Sequence, residues 1–146
     1  MSNLNKLSFK KSKIKTQEVD YLVVVDSEIW KEYFNKQDLT ESNILSTLIR
    51  EDKIAICGYT FVRILQGIRN QDNFEKLLKG LLALPYIEIE KEDWVETSKL
   101  LFKFKNLSFE LALLCALTRN KKLRILTRHR EIKNIDGVKL YEDEKE

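Results

Sequence analysis

Glycine is scarce in this 146-residue chain, four in all, and none falls in a GxGxxG or GxxxxGK pattern. Phosphate-cradling loops of those kinds are therefore excluded. Cysteine is scarcer still. Cys57 and Cys115 each lie in an apolar run, with no CxxC spacing and no Cys/His neighbourhood. That excludes the usual zinc and redox motifs and reads as two buried, reduced thiols. With no signal peptide, it also points to a reducing, cytoplasmic setting. No apolar run approaches the ~20 residues that a membrane span needs. Neither sign of charge dominates: 26 basic against 23 acidic side chains leave a net +3. That balance neither argues nucleic-acid binding nor opposes it. One proline, Pro85, and one histidine, His129, complete the short inventory.

What is present suits one domain with a sizeable core: 43% of residues are hydrophobic and 34% charged. The charge is uneven. Residues 1–20 form a basic arm, with Lys6, Lys10, Lys11, Lys13 and Lys15 against Glu18 and Asp20. Residues 142–146, EDEKE, form an acidic tail. The folded domain is expected between, over 21–141.

Along that domain, strand and helix patterns alternate. YLVVVD (21–26) is a continuous β-branched run ending in an acid, as a central parallel strand requires when both its faces are buried. SEIWKEYFN follows with Ile29, Trp30, Tyr33 and Phe34 at helical spacing and Ser27 as the expected N-cap. LTESNILSTLIRED predicts a second helix, with Thr40 or Ser42 as its cap. KIAIC (53–57) is a second strand. YTFVRILQGIRN and NFEKLLKGLLALP are helices, the latter stopped by Pro85. YIEIE (86–90) alternates as a strand. DWVETSKLLFKF is helical, with Trp94, Leu101 and Phe104 expected inward, and Glu90, Glu92 and Asp93 charging its start. SFELALLCALTRNKK is a strongly apolar helix capped by Ser108. RILT and GVKLY (137–141) supply the last two strands. The order β-α-α-β-α-α-β-α-α-β-β predicts an α/β domain with a mostly parallel sheet.

Four of these stretches resemble the PIN domain family, the VapC type of toxin–antitoxin ribonuclease in particular. LVVVDSEIWKEYF resembles its opening strand, aspartate, hydroxyl residue and aromatic helix. FVRILQGIRN resembles the second motif, LSFELALLCAL the third and ILTRHREI the fourth, in the family's order and over nearly all of 21–141. The resemblance implies a three-layer sandwich with a mostly parallel central sheet of four to five strands flanked by helices. It implies a homodimer, an antitoxin-type protein partner, and RNA as the substrate class. The early helices support self-pairing, because Trp30, Tyr33, Phe34 and Phe61 exceed what one core readily buries.

In that family four acids gather at the strand ends around Mg²⁺ or Mn²⁺. Carried over residue by residue, three of the four differ. Asp26 is intact. Glu110 stands for the third acid as a longer carboxylate. Arg63 stands at the second motif's glutamate and His129 at the fourth acid. Asp26 and Glu110 are thus the expected catalytic and metal-binding residues, and Arg63 and His129 the degenerate positions. The nominal site charge falls from −4 to −1, since a guanidinium keeps its proton. Arg63 is expected within ion-pair reach of Asp26 or Glu110, standing in for the ion. His129 suits Mn²⁺ or Zn²⁺ better than Mg²⁺. Ser27, Thr127, Arg128 and Arg130 are candidate phosphate or RNA contacts, and the basic run RNKKLR (119–124) is expected beside the site. Glu28 is either a spare carboxylate or an exposed first-turn acid. Trp30 and Trp94 read as core. Two functions stand open. One is a degenerate site that binds RNA or protein, with no cofactor. The other is an active Mg²⁺- or Mn²⁺-dependent endoribonuclease built on Asp26, Glu110 and another acid such as Glu28.

Overall fold

A computed structural model describes residues 21–35 and 40–142. The basic arm 1–20 and residues 143–146 of the acidic tail lie outside the described residues.

The chain runs β1 (Leu22–Val25), α1 (Ser27–Phe34), α2 (Thr40–Arg50), β2 (Ile56–Cys57), α3 (Gly58–Leu65), α4 (Gln71–Leu82), β3 (Tyr86–Ile87), α5 (Lys91–Lys103), α6 (Phe109–Asn120) and β4 (Leu123–Leu126). A 3₁₀ turn over Arg130–Asn134 follows. This is the order the sequence pattern predicts. The strands are shorter than the patterns, however: YIEIE contributes only Tyr86 and Ile87, and GVKLY a single bridge at Leu140.

All pairings are parallel. β1 pairs with β4, Leu22 opposite Leu123 through Val25 opposite Leu126. β2 pairs with β3, and bridges from Val23 to Ile54 and from Ile125 to Leu140 join the pieces. The ladder is carried on by Val23 N–H to the Lys53 carbonyl at 2.8 Å and Tyr141 N–H to the Ile125 carbonyl at 2.9 Å. The spatial order is therefore β3-β2-β1-β4, with the Leu140 segment outermost. β1 lies at the centre, which is why its sequence is apolar without alternation.

Side chains from successive residues divide between the two faces. Val23, Val25, Ile54, Ile56 and Leu126 pack with Trp30, Leu45, Leu48, Ile64 and Leu81 from α1 to α4. Val24, Ala55, Cys57, Leu123 and Ile125 pack under α6, whose residues Leu111 to Leu117 are all buried. Helices thus cover both faces, giving an α/β sandwich of three layers around a small parallel sheet. Each buried Leu, Ile or Val removes enough apolar surface from water to stabilise the fold by about 1.5–3 kcal/mol.

One expectation about packing is corrected. Trp30 is buried at 2% exposure as expected, but Trp94 is 42% exposed and stacks on Phe109 with ring centroids 6.3 Å apart. Tyr33, Phe34 and Phe61 pack onto the chain's own core and are only partly buried there. The exposed large hydrophobics lie elsewhere, among them Tyr86, Trp94, Phe102 and Phe109.

Candidate functional site

The strand order reverses between β1 and β4: the chain leaves β1 toward β2 on one side and returns to β4 on the other. In open parallel sheets, ligands gather beyond the carboxyl ends of the strands at such a switch point. The residues immediately past those ends are Asp26 after β1, Thr127 after β4, and Thr60 in the first turn of α3 after β2.

Asp26, not Ser27, is the N-cap of α1. Its Oδ1 accepts the N–H groups of Glu28 at 2.9 Å and Ile29 at 3.2 Å. Its Oδ2 accepts the Thr127 hydroxyl at 2.6 Å, across 101 residues of chain. The cap frees Ser27 for Glu110, which lies in the first turn of α6. The Ser27 hydroxyl donates to Glu110 Oε1 at 2.7 Å, and the Ser27 N–H to Oε2 at 3.1 Å. The Thr60 hydroxyl donates to Oε2 at 2.9 Å. α6 is itself held by Ser108, whose Oγ accepts the Leu111 N–H at 3.2 Å, as the sequence predicts. Asp26 and Glu110 thus each accept three hydrogen bonds from the protein's own donors. A carboxylate offers about four lone-pair positions, so roughly one is left on each.

Asp26 is only 3% exposed. Burial raises its pKa above the ordinary aspartate value, and the charges of Glu110 and Glu28 push the same way. The hydrogen bonds from Thr127 and Ile29 oppose the rise without cancelling it.

Arg63 does not enter this arrangement. Among the described residues it has no ion pair with Asp26 or Glu110, and its Nε is buried without a hydrogen-bond partner. The position beside Glu110 belongs to Thr60. Arg63 stands three residues, nearly one helical turn, further along α3. The expected exchange of a metal ion for a guanidinium is therefore corrected: a hydroxyl, not a cation, meets Glu110 there.

His129 lies at the outer edge of the site. Its N–H donates to Thr127 Oγ1 at 3.1 Å, so one hydroxyl links Asp26 to the histidine loop. Its Nε2 is 3.3 Å from Glu28 Oε1. Asp26, Glu28 and His129 each offer a ligand atom, and the three atoms lie within 4.8 Å of one another. Glu28 lies exposed in the first turn of α1, with its carboxylate turned to the His129 ring.

Arg128 turns toward acids of α1 and α2. It hydrogen-bonds Glu32, and lies 3.5 Å from Glu41 and 3.9 Å from Glu28. Arg130 pairs with Glu142 at 3.0 Å. Both arginines among the candidate phosphate contacts are paired with carboxylates. The basic run 119–124 lies at the wrong end of the sheet. Leu123 opens β4 opposite Leu22, whereas Asp26 follows the far ends of both strands. There Arg119 pairs with Glu96, Lys121 with Asp93, and Arg124 stacks 4.3 Å over the Tyr21 ring.

A four-acid Mg²⁺ centre does not fit these residues. Mg²⁺ asks for oxygen ligands in near-octahedral order. Asp26 and Glu110 are largely satisfied by protein donors, no carboxylate stands at position 63, and an imidazole stands at 129.

No family model matches the chain, and no curated protein matches it. Among solved structures, it is similar to a chain of a toxin–antitoxin complex from Klebsiella pneumoniae. The two are 20% identical with a TM-score of 0.65, over 83% of this chain and 99% of that one. The likeness is one of fold. Among the described residues, no helix is long and apolar enough to cross a membrane.

Proposed function

We propose that this is a PIN-like protein of the VapC toxin type. Its ribonuclease centre is degenerate, and it acts in the cytoplasm by binding RNA or a protein partner of antitoxin type, as a homodimer. The observation that carries this reading is the closure of the two acids on protein donors. Six hydrogen bonds, three to Asp26 and three to Glu110, do for these carboxylates what a metal ion and its waters do in an acidic nuclease centre. The shared fold with a toxin–antitoxin chain supports it. So do the position at the sheet's switch point and the sequence resemblance over four motifs.

The test is cleavage of single-stranded RNA in Mg²⁺, comparing the protein with its Asp26→Asn variant. Equal background rates are expected. Cleavage that the substitution abolishes would replace this reading with that of an atypical endoribonuclease. One observation favours that second reading: Glu28 supplies a carboxylate beside Asp26 at a position where the four-motif pattern has none.

A further inference from the structure

We propose that the basic concavity at the amino-terminal end of the sheet binds a small organic diphosphate, of the nucleoside diphosphate class, through its phosphates. It lies at the opposite end of β1 and β4 from Asp26. The inference therefore stands apart from the degenerate-nuclease reading.

The concavity encloses about 600 Å³, within the range of small-ligand sites. Its walls include Tyr21, Arg119, Lys121, Lys122, Arg124 and Lys139, and no acidic residue lines it. Two of the five cations are already engaged: Arg119 by Glu96, and Lys121 by Asp93 and Glu90. Lys122, Arg124 and Lys139 have no carboxylate partner among the described residues. Lys122 and Lys139 are exposed, and Arg124 is half-buried. A terminal phosphate carries about −1.5 to −2 at pH 7, and an inner one adds about −1. Three unpaired cations match that charge.

Helix electrostatics explains only part of this cluster. Cations in a last helical turn are favoured by the helix dipole, which accounts for Arg119 at the end of α6. Arg124 and Lys139 come from elsewhere. The Ile125 N–H bonds the Lys139 carbonyl, and Ile125 bridges Leu140 in parallel. Arg124 and Lys139, each one residue earlier, thus stand side by side on one face of the sheet. Like charges so placed destabilise a sheet. A bound anion between them removes that cost. Arg124 is oriented for one: its guanidinium lies 4.3 Å over the Tyr21 ring centroid. A stacked guanidinium keeps its in-plane N–H donors for a bidentate pair with phosphate oxygens. Gly137 adds a wall without a side chain. Its φ of +85° suits glycine, and a Cβ there would come within 3.3 Å of the Arg119 stem.

The experiment is calorimetric titration of the full chain, in Mg²⁺-free buffer of low ionic strength, with ADP, with inorganic pyrophosphate and with a short single-stranded RNA. One saturable site is expected for ADP, and pyrophosphate should displace it. Arg124→Ala and Lys139→Gln should each weaken ADP by at least about tenfold, through loss of a charge-assisted contact. Lys76→Ala, which removes an exposed lysine of α4, should stay within about twofold. Thermal melting without ligand checks each fold. Lys139→Gln should melt at or above the unaltered chain, because a like-charge neighbour is gone. Weaker binding without lower melting supports the site. Absence of saturable ADP binding overturns it, as does ADP that pyrophosphate does not displace. Affinity unchanged in both pocket variants, an equal loss in Lys76→Ala, or binding of the RNA alone overturns it too.

Discussion

Ser27 donates both its backbone N–H and its hydroxyl to the carboxylate of Glu110, 83 residues further along the chain. One small residue thereby joins the start of α1 to the start of α6, on opposite faces of the sheet. Ser27→Ala removes the hydroxyl and leaves Glu110 Oε1 without that donor. A hydrogen bond to a charged group contributes about 1.5–3 kcal/mol, so the variant should be less stable by roughly that amount. Urea denaturation with an unchanged slope would read it directly.

Two buried aspartates should tilt the pH profile of stability in opposite senses. Asp26 is raised above 3.8 by burial, so the folded chain keeps its proton where the unfolded chain has lost it. Stability then falls as pH rises from 3.8 through the folded value, and the deficit persists at neutrality. Asp26→Asn should flatten that limb. At Asp93 burial opposes the charge, but the Glu90 N–H, Asn120 and Lys121 outweigh it and lower the pKa below 3.8. Its contribution is complete above 3.8 and is lost as pH falls through the folded value. Asp93→Asn should remove that acid limb. Denaturation midpoints taken across the acid range separate the two.

Cys115 should not react in the native protein. Burial pushes its thiol up to about 12, so at pH 8 only about one molecule in 10⁴ carries the thiolate. Labelling by a thiol-specific disulfide reagent should follow global unfolding. Rapid labelling of Cys115 under native conditions would contradict its placement in the α6 core.

The two tryptophans should behave as opposites. Trp30→Ala opens the core beneath α1 and should cost about 3–5 kcal/mol. Trp94→Ala removes a half-exposed ring and should cost under about 1 kcal/mol. Acrylamide quenching of single-tryptophan variants would show Trp94 accessible and Trp30 shielded.

These residues also mark where sequence reasoning reaches and where it stops. The run LVVV announced a central strand because a strand covered on both faces needs no alternation. The acid after it marked the strand's carboxyl end, and Ser108 with the apolar run behind it announced α6. The motif pattern points to Arg63 where the fold brings Thr60 to Glu110, because a motif aligned in one dimension does not say which turn of α3 faces that acid. Thr60 left a signal, a hydroxyl in the first turn after a strand, but a weak one. Trp94 follows the helical period of α5, and the period cannot tell a helix covered on two sides from one covered on one. Glu28 and His129 are 101 residues apart, and only the pairing of β1 with β4 brings them together.

That pairing also sets a clock. At about 5–20 residues per second of synthesis, Asp26 leaves the ribosome some 5–20 s before Thr127, the hydroxyl that completes its shell. Until β4 is made the central strand lacks one of its two neighbours, and His129, two residues past Thr127, has yet to join Asp26. The site is therefore complete only once β4 and the residue after it have been made. A ribosome that stalls before residue 110 releases a chain in which no part of the acidic cluster beyond Asp26 and Glu28 exists.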